Sequence, residues 1–135
     1  MKDGSKAKVL GAVAAALHTH LLAEHYGVCV VLHTDHANKS LIPWVDALLD
    51  HGEAYFKQHG KPLFSSHMLD LSEDPMEFNL SECARILTRM APLNMSLEIE
   101  LGGSLRIAGA PSNGTQVTAV LPLGAGAETQ ANHVR

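Results

Sequence analysis

Apolar positions along the first hundred residues follow two different spacings, which predicts alternating helices and strands. Residues 5–25 are rich in alanine and leucine at helical spacing, so this pattern predicts a helix that ends at Gly27. The run VCVVLHT at 28–34 is continuously apolar and rich in valine, as in a strand buried on both faces. The chain therefore begins with a helix followed by a buried strand.

The pattern of strand and helix then recurs twice. A second helical pattern covers residues 40–60, and the strand candidate KPLFSSHMLDLS follows at 61–72. A third helical pattern covers residues 74–90, and MSLEIEL follows at 95–101. Strands that start about every 33 residues predict an α/β fold with a parallel sheet. Three strands fit either a (β/α)8 barrel or a doubly wound sheet, and the spacing does not decide between them.

The pattern changes after Gly102. The stretch GGSLRIAGAPSNGTQVTAVLPL at 102–123 contains two alternating segments around a Pro-Ser-Asn-Gly turn, which predicts a short antiparallel hairpin. Residues 124–135 are small and polar and predict a disordered tail. We therefore divide the chain into an α/β segment at 1–102, a hairpin segment at 103–123 and this tail.

Composition narrows the functional classes. Ten Lys and Arg against 14 Asp and Glu give a net charge of −4, and the sequence contains no basic patch of the kind that binds nucleic acid. The longest weakly polar stretch carries His18 and His20 and lacks an apolar block of membrane-spanning length. The first residues lack the apolar core of a secretion signal. We therefore expect a cytoplasmic protein with neither a nucleic-acid nor a membrane partner.

Imidazole and carboxylate side chains collect at the predicted strand ends. Asp35 and His36 follow the first strand, Asp70 lies near the end of the second, and Glu98 and Glu100 share one face of the third. Because the carboxyl ends of parallel strands meet at one edge, His36, Asp70 and Glu100 are expected to be neighbours. Such a set suits a divalent ion such as zinc, beside which Asp35 could act as a general acid or base.

Structural roles are open for each of these residues. A histidine at a strand end is commonly a solvated or capping residue, and Glu98 and Glu100 fit the polar face of a half-exposed strand. Asp70 fits a charge at the N-terminus of a helix. No dense metal-ligand motif is present, so spacing alone favours these structural roles.

Three motifs, taken together and in this order, resemble the class II, zinc-dependent fructose-bisphosphate aldolases. They are AEHYGVCVVLHTDHANKSLIPWVDALLD, GKPLFSSHMLDLSE and MSLEIELG. The resemblance covers residues 5–102 and implies a partial (β/α)8 TIM barrel that contains about three parallel strands. It also implies a glycolytic lyase that reversibly cleaves fructose 1,6-bisphosphate into dihydroxyacetone phosphate and glyceraldehyde 3-phosphate, and that is a homodimer when intact.

The resemblance assigns roles to single positions. Asp35 matches the catalytic aspartate that handles a proton on a substrate oxygen, and His36 matches one histidine ligand of the catalytic zinc. Asp70 and Glu100 match carboxylates of a second metal position, so two zinc positions are implied. His33 receives no ligand role.

The same resemblance predicts a truncated enzyme. The family's other two zinc histidines and its glycine-rich phosphate loops have no counterpart in this sequence. We therefore expect a chain that is inactive alone and self-associates through exposed sheet edges. One alternative is a non-catalytic metal-binding or interaction module.

A second alternative is a chimeric gene product without a selected function. Residues 102–123 resemble the C-terminal hairpin of the ATP-binding domain of sensor histidine kinases, through Gly-Gly-Ser-Leu-Arg-Ile and the Pro-Ser-Asn-Gly-Thr turn. This resemblance places a junction at Gly102 or Gly103 and implies that Gly114 and Thr115 lie near a nucleotide pocket.

Overall fold

A computed structural model of the chain describes residues 4–100, 104–110 and 114–120, the last two ranges as backbone. Its regular elements, in chain order, are α1 Gly4–Tyr26, β1 His33–Ala37, α2 Ile42–His59, β2 Ser66–Asp70, α3 Met76–Met90, β3 Ser96–Glu100, β4 Ser104–Ala110 and β5 Gly114–Val120. The expected junction at Gly102 or Gly103 and the expected tail at 124–135 lie outside the described residues. The division of the chain at residue 102 stays a prediction.

The strands form two separate sheets. Strands β1, β2 and β3 are parallel and adjacent in that order, with α2 and α3 as the crossovers between them. Strands β4 and β5 form the antiparallel hairpin that the alternating pattern predicted. The α/β prediction is confirmed, and β1 and β3 are the outer strands of the parallel sheet. None of the described helices is both long and apolar enough to cross a membrane.

The first strand starts later than the sequence pattern predicted. The valine-rich run was expected to be buried, but the side chains of Val28 and Val31 are 56% and 74% exposed. The amide of Val28 still bonds to the carbonyl of Ala23 in the last turn of α1. Pairing with the next strand begins only at Leu32, whose carbonyl accepts from the amides of Ser65 and Ser66. The available partner, and not local β propensity, therefore sets the start of β1.

The main core lies between the parallel sheet and the helices. Helix α1 packs through small residues, since Val9, Ala16 and Ala23 are buried while Leu10 and Leu17 are about half exposed. The helical spacing of its leucines therefore predicted the helix but not its buried face. The fully buried side chains of α2, β2 and α3 complete the core: Val45, Leu48, Leu49, Leu69, Ile86 and Met90.

Two imidazole–hydroxyl hydrogen bonds join β1 to β2. His33 lies opposite Ser66 and Thr34 lies opposite His67, so the sequence His-Thr faces the sequence Ser-His. On one face of the sheet, His33 Nδ1 is 2.7 Å from the Ser66 hydroxyl oxygen. On the other, buried face, His67 Nδ1 is 2.7 Å from the Thr34 hydroxyl oxygen. A slip of one residue would break both bonds, so they fix the register.

Helices α2 and α3 are joined by ion pairs on their outer surface. The two terminal guanidinium nitrogens of Arg85, Nη1 and Nη2, each lie 2.9 Å from one carboxylate oxygen of Asp46, and Arg89 contacts the same carboxylate at 2.9 Å. The hydrogen bond from Arg85 is the largest cause that lowers the pKa of Asp46. These contacts orient the helix that follows β2 against the helix that follows β1.

We expect the stability of the fold to decrease in acid because of His67. Its side chain is fully buried, and this burial lowers its pKa to about 4. The unfolded chain, with an ordinary histidine pKa near 6.5, therefore binds the proton first as the pH falls. Between pH 7 and pH 4 this difference should remove up to about 3 kcal/mol of the free energy of unfolding.

Urea denaturation at several pH values would measure this loss, with the His67→Gln variant as the control. Glutamine cannot titrate but can still hydrogen-bond to Thr34. The pKa of His36 is raised, which has the opposite effect on stability, but both proteins carry His36 and its contribution cancels. Parallel pH profiles for the two proteins would contradict the assignment to His67.

Candidate metal centre

A β-bulge in β1 brings His36 to the site. Thr34 pairs with His67 and Ala37 pairs with Leu69, so Asp35 and His36 together face the single residue Met68. In a regular strand, His36 would share a face with Thr34, which is buried. The extra residue instead places buried Ala37 on that face and turns His36 to the other one. The sequence predicted that the strand would already have ended here, but β1 continues to Ala37.

The bulge gives His36 an unusual backbone conformation. Its φ angle is +37°, in the region that residues other than glycine rarely adopt. Two features hold the chain directly after His36. Ala37 is fully buried, and the side-chain oxygen of Asn38 accepts a hydrogen bond from the Ser40 amide. The structure therefore keeps an unfavourable torsion angle at the residue predicted to bind the metal.

The three predicted metal-binding residues lie together. His36 Nδ1 is 3.2 Å from Asp70 Oδ2 and 3.2 Å from Glu100 Oε2. One ligand atom from each residue lies within 4.8 Å of the others. Each comes from the end of a different strand, because parallel pairing places Asp70 beside Glu100 and the bulge adds His36. In a tetrahedral zinc site, ligand atoms are about 3.4 Å apart, so these separations fit ligands of one ion.

Asp70 divides its two carboxylate oxygens between two neighbours. Oδ1 accepts a 2.7 Å hydrogen bond from the Ser72 hydroxyl, while Oδ2 faces His36. The bond from Ser72 is the largest cause that lowers the pKa of Asp70. In turn, the hydrogen bond to Asp70 is the largest cause that raises the pKa of His36, followed by the charge of Asp35. Asp70 is thus held ionised beside an imidazole that binds a proton more readily than usual.

Glu100 is positioned through its backbone by a residue that the sequence analysis missed. Asn79 of α3 is 2% exposed, and its side-chain amide donates to the Glu100 carbonyl oxygen at 3.1 Å. The Cys83 thiol donates to the other end of the same amide group. A polar residue on the inner face of a predicted helix was the available signal. Glu100 Oε2 is buried and has no hydrogen-bond partner among the described residues.

Asp35 lies at the rim of this cluster. Its carboxylate is 74% exposed, and Oδ1 is 3.7 Å from His36 Nε2, on the side of the imidazole away from Asp70. One layer below, His33 Nε2 is 3.5 Å from Glu98 Oε2. Glu98 is therefore close to His33 rather than to the three predicted ligands.

An open cleft of about 530 Å³ adjoins the cluster. It lies between the segments that follow β1 and β2 and is lined by Asn38, Lys39, Ser40, Asp70, Glu73 and Asp74. Asp70 thus faces both His36 and this cleft. A small polar molecule in the cleft would lie beside the Asp70 carboxylate.

Comparisons with known proteins agree with this geometry. The family model described as fructose-bisphosphate aldolase class-II matches residues 1–121. The fructose-bisphosphate aldolase of Borreliella burgdorferi is 57% identical over 102 residues, which are 76% of this chain and 28% of that protein. The class 2 enzyme of Escherichia coli K12 is 57% identical over 96 residues, which are 71% of this chain and 27% of that protein.

A solved structure shows the same relationship. The crystal structure of fructose-bisphosphate aldolase from Campylobacter jejuni is 53% identical and superposes with a TM-score of 0.69 over 74% of this chain and 29% of its own. The match confirms that the three parallel strands and their helices are part of a TIM barrel and not of a doubly wound sheet. The chain spans about 28% of the length of the curated relatives that it matches.

The positive φ angle of His36 leads to a stability prediction. Glycine adopts this conformation without strain, whereas alanine does not, so His36→Gly should be about 1 kcal/mol more stable than His36→Ala. Both variants lose the imidazole, and urea denaturation compares them directly. The same two substitutions at Glu98, where φ is not positive, should give the opposite order. If the glycine variant were more stable than the alanine variant at both positions, or less stable at both, the strain at His36 would be contradicted.

Proposed function

Because the chain belongs to the class II fructose-bisphosphate aldolase family, we propose that its strand-end cluster is the metal-binding part of an aldolase active site. Enzymes of this family are metal-dependent and act on a sugar bisphosphate. The proposed reaction is the reversible cleavage of fructose 1,6-bisphosphate into dihydroxyacetone phosphate and glyceraldehyde 3-phosphate, in the cytoplasm. The observation that carries the proposal is the meeting of His36, Asp70 and Glu100 from three strand ends.

The donor set of the cluster fits a zinc ion. One imidazole nitrogen and two carboxylate oxygens are ligand types that zinc accepts. The buried Glu100 Oε2 lies 3.2 Å from His36 Nδ1 but accepts no hydrogen bond from the described residues, so it gains a partner if a cation binds between it and His36. In the proposal, His36 belongs to the catalytic zinc and Asp70 and Glu100 to a second metal position, although one ion could reach all three.

The residues around the ion have separate roles in this proposal. A bound zinc ion supplies Lewis-acid polarisation of a substrate carbonyl. His36 would hold the catalytic zinc and the Asp70 carboxylate the second metal, and the bond from Ser72 keeps Asp70 ionised. Asp35 is exposed beside His36, where it can take or return the proton of a substrate hydroxyl. Because the raised pKa of His36 favours its protonated form, metal affinity should fall as the pH decreases.

A second candidate function is metal binding without catalysis. It is favoured by one observation, namely that three ligands within the described residues already converge on one point. A three-residue ligand set can hold an ion. The two candidates differ in whether substrate is cleaved, and Asp35 matters only to the first.

The proposal includes self-association. Strands β1 and β3 are the edges of the parallel sheet, and open parallel edges are sites for pairing with another chain. The side chain of Ile99 on β3 is 40% exposed, as expected for a strand whose outer neighbour is missing in the described residues. A second copy of the chain could cover these edges.

Zinc titration by calorimetry tests the metal site. We expect the wild-type chain to bind zinc and the variants His36→Ala, Asp70→Ala and Glu100→Ala each to bind it at least about tenfold more weakly. Glu98→Ala is the matched control, because Glu98 lies on the same face of β3 but contacts His33. If the three ligand variants bind zinc as tightly as wild type, the shared site is wrong.

A coupled assay of fructose 1,6-bisphosphate cleavage, with zinc, separates the two candidate functions. Turnover that is lost in Asp35→Ala supports the aldolase proposal. Zinc binding without turnover favours the second candidate.

Sedimentation velocity over a range of concentrations tests the association. The average mass should rise with concentration, and Ile99→Lys on β3 should reduce it because a charged side chain disfavours edge pairing. Leu80→Lys is the control, since Leu80 is 53% exposed but lies on helix α3 and not on an edge strand. A mass of one chain at every concentration would argue against self-association.

A further inference from the structure

A lysine bridges the two segments that carry the candidate ligands His36 and Asp70. Lys39 Nζ lies 2.7 Å from Asp74 Oδ1 and 4.1 Å from the centre of the Phe78 ring. The ammonium group is thus held between a carboxylate and the face of an aromatic ring, an arrangement that fixes its position more closely than an ion pair alone. Lys39 and Asp74 both line the cleft beside the metal cluster.

The two residues of this bridge lie a few positions after the ligands in the same two segments. Lys39 is in the short 3-10 turn after β1, three positions after His36, and Asp74 is in the segment after β2, four positions after Asp70. The bridge and the 3.2 Å contact between His36 and Asp70 therefore join the same two segments. The hydrogen bonds from Ser40 to Asn38 and from Ser72 to Asp70 each stay within one segment.

The ligands need such a support. His36 has an unfavourable φ angle and a 58% exposed side chain, so neither its torsion angle nor its packing holds the imidazole in place. Asp70 and Glu100 are both negatively charged and lie close together, so without a metal they repel each other. A fixed distance between the two segments keeps the cluster assembled before the ion binds.

We propose that Lys39 is a positioning residue whose bridge to Asp74 sets the distance between His36 and Asp70 and thereby the affinity of the site for metal. This inference rests on the proposed metal-binding function. Lys39 does not touch the ion. It acts through the two segments that it joins.

The proposal and simple electrostatics predict opposite changes in zinc affinity when Lys39 is replaced. Lys39→Met keeps the apolar stem against Phe78 but removes a positive charge near the site. Loss of a nearby positive charge should strengthen binding of a cation, whereas loss of positioning should weaken it. We expect Lys39→Met to bind zinc about tenfold more weakly than wild type, the lower end of the effect typical of residues that orient metal ligands. Because the side chain of Lys39 is 56% exposed, solvent screens this ion pair, and its loss should lower the stability of the protein only slightly.

Zinc titration of the full chain, repeated with cobalt to record the visible absorption of the bound ion, is the test. Arg85→Met is the matched control, because it removes the same charge and breaks an ion pair far from the cluster. It should leave zinc affinity unchanged. The exchange of the two partners, Lys39→Asp combined with Asp74→Lys, should restore affinity and the cobalt spectrum. Zinc binding by Lys39→Met that is as tight as wild type, or tighter, would overturn the proposal.

A metal-free measurement keeps this inference separate from the proposed function. In amide NMR spectra without metal, Lys39→Met should shift residues 36–38 and also residues 70–72, while Arg85→Met should shift neither. If wild type binds no zinc but these shifts occur, the proposed metal-binding function is wrong, while the positioning of Asp70 by Lys39 is supported. If the shifts stay within residues 36–40, Lys39 does not position Asp70 and the inference is wrong.

Discussion

The pairing of β1 with β2 is the constraint on which the rest of the site depends. Two histidine–hydroxyl bonds, one on each face of the sheet, hold His-Thr against Ser-His. The inner bond is the stronger constraint, since buried His67 loses hydrogen-bonding water when the chain folds and Thr34 replaces part of it. With the register fixed at Thr34, the extra residue in β1 can only be accommodated further along, and there it forms the bulge at Asp35 and His36.

The bulge explains why His36 lies on the site face of the sheet and Ala37 in the core. In a regular strand His36 would share the buried face of Thr34, and Ala37 would lie on the site face. The extra residue reverses this, so that Ala37 is fully buried and His36 faces the carboxylates of the neighbouring strands. The cost is a positive φ angle at His36, which the buried Ala37 and the capped turn after it hold in place.

Electrostatics at the strand ends follow from the same arrangement. The Asp70 carboxylate accepts a hydrogen bond from the Ser72 hydroxyl, and the Glu100 backbone carbonyl accepts one from the Asn79 side chain. The Asp70 carboxylate and the Glu100 backbone are therefore held in place before any cation binds, which lowers the reorganisation that binding requires. The contact with Asp70 is the largest cause of the raised pKa of His36, and the same contact lowers the pKa of Asp70 after the larger effect of the bond from Ser72.

The amino-acid sequence by itself determined the order of helices and strands, the parallel sheet and the residue types at the strand ends, because helical spacing, buried apolar runs and turn residues are local signals. Its motifs also indicated the family, and with it the choice of a barrel over an open sheet. Local signals did not predict features that depend on contacts with residues distant in the sequence. The valines before β1 were predicted to lie in a strand, yet among the described residues their segment pairs with a neighbouring strand only from Leu32 onward. The leucines of α1 marked a helix but not its buried face. The bulge, the Asn79 contact and the Lys39 bridge join residues far apart in sequence, so only the tertiary structure could place them.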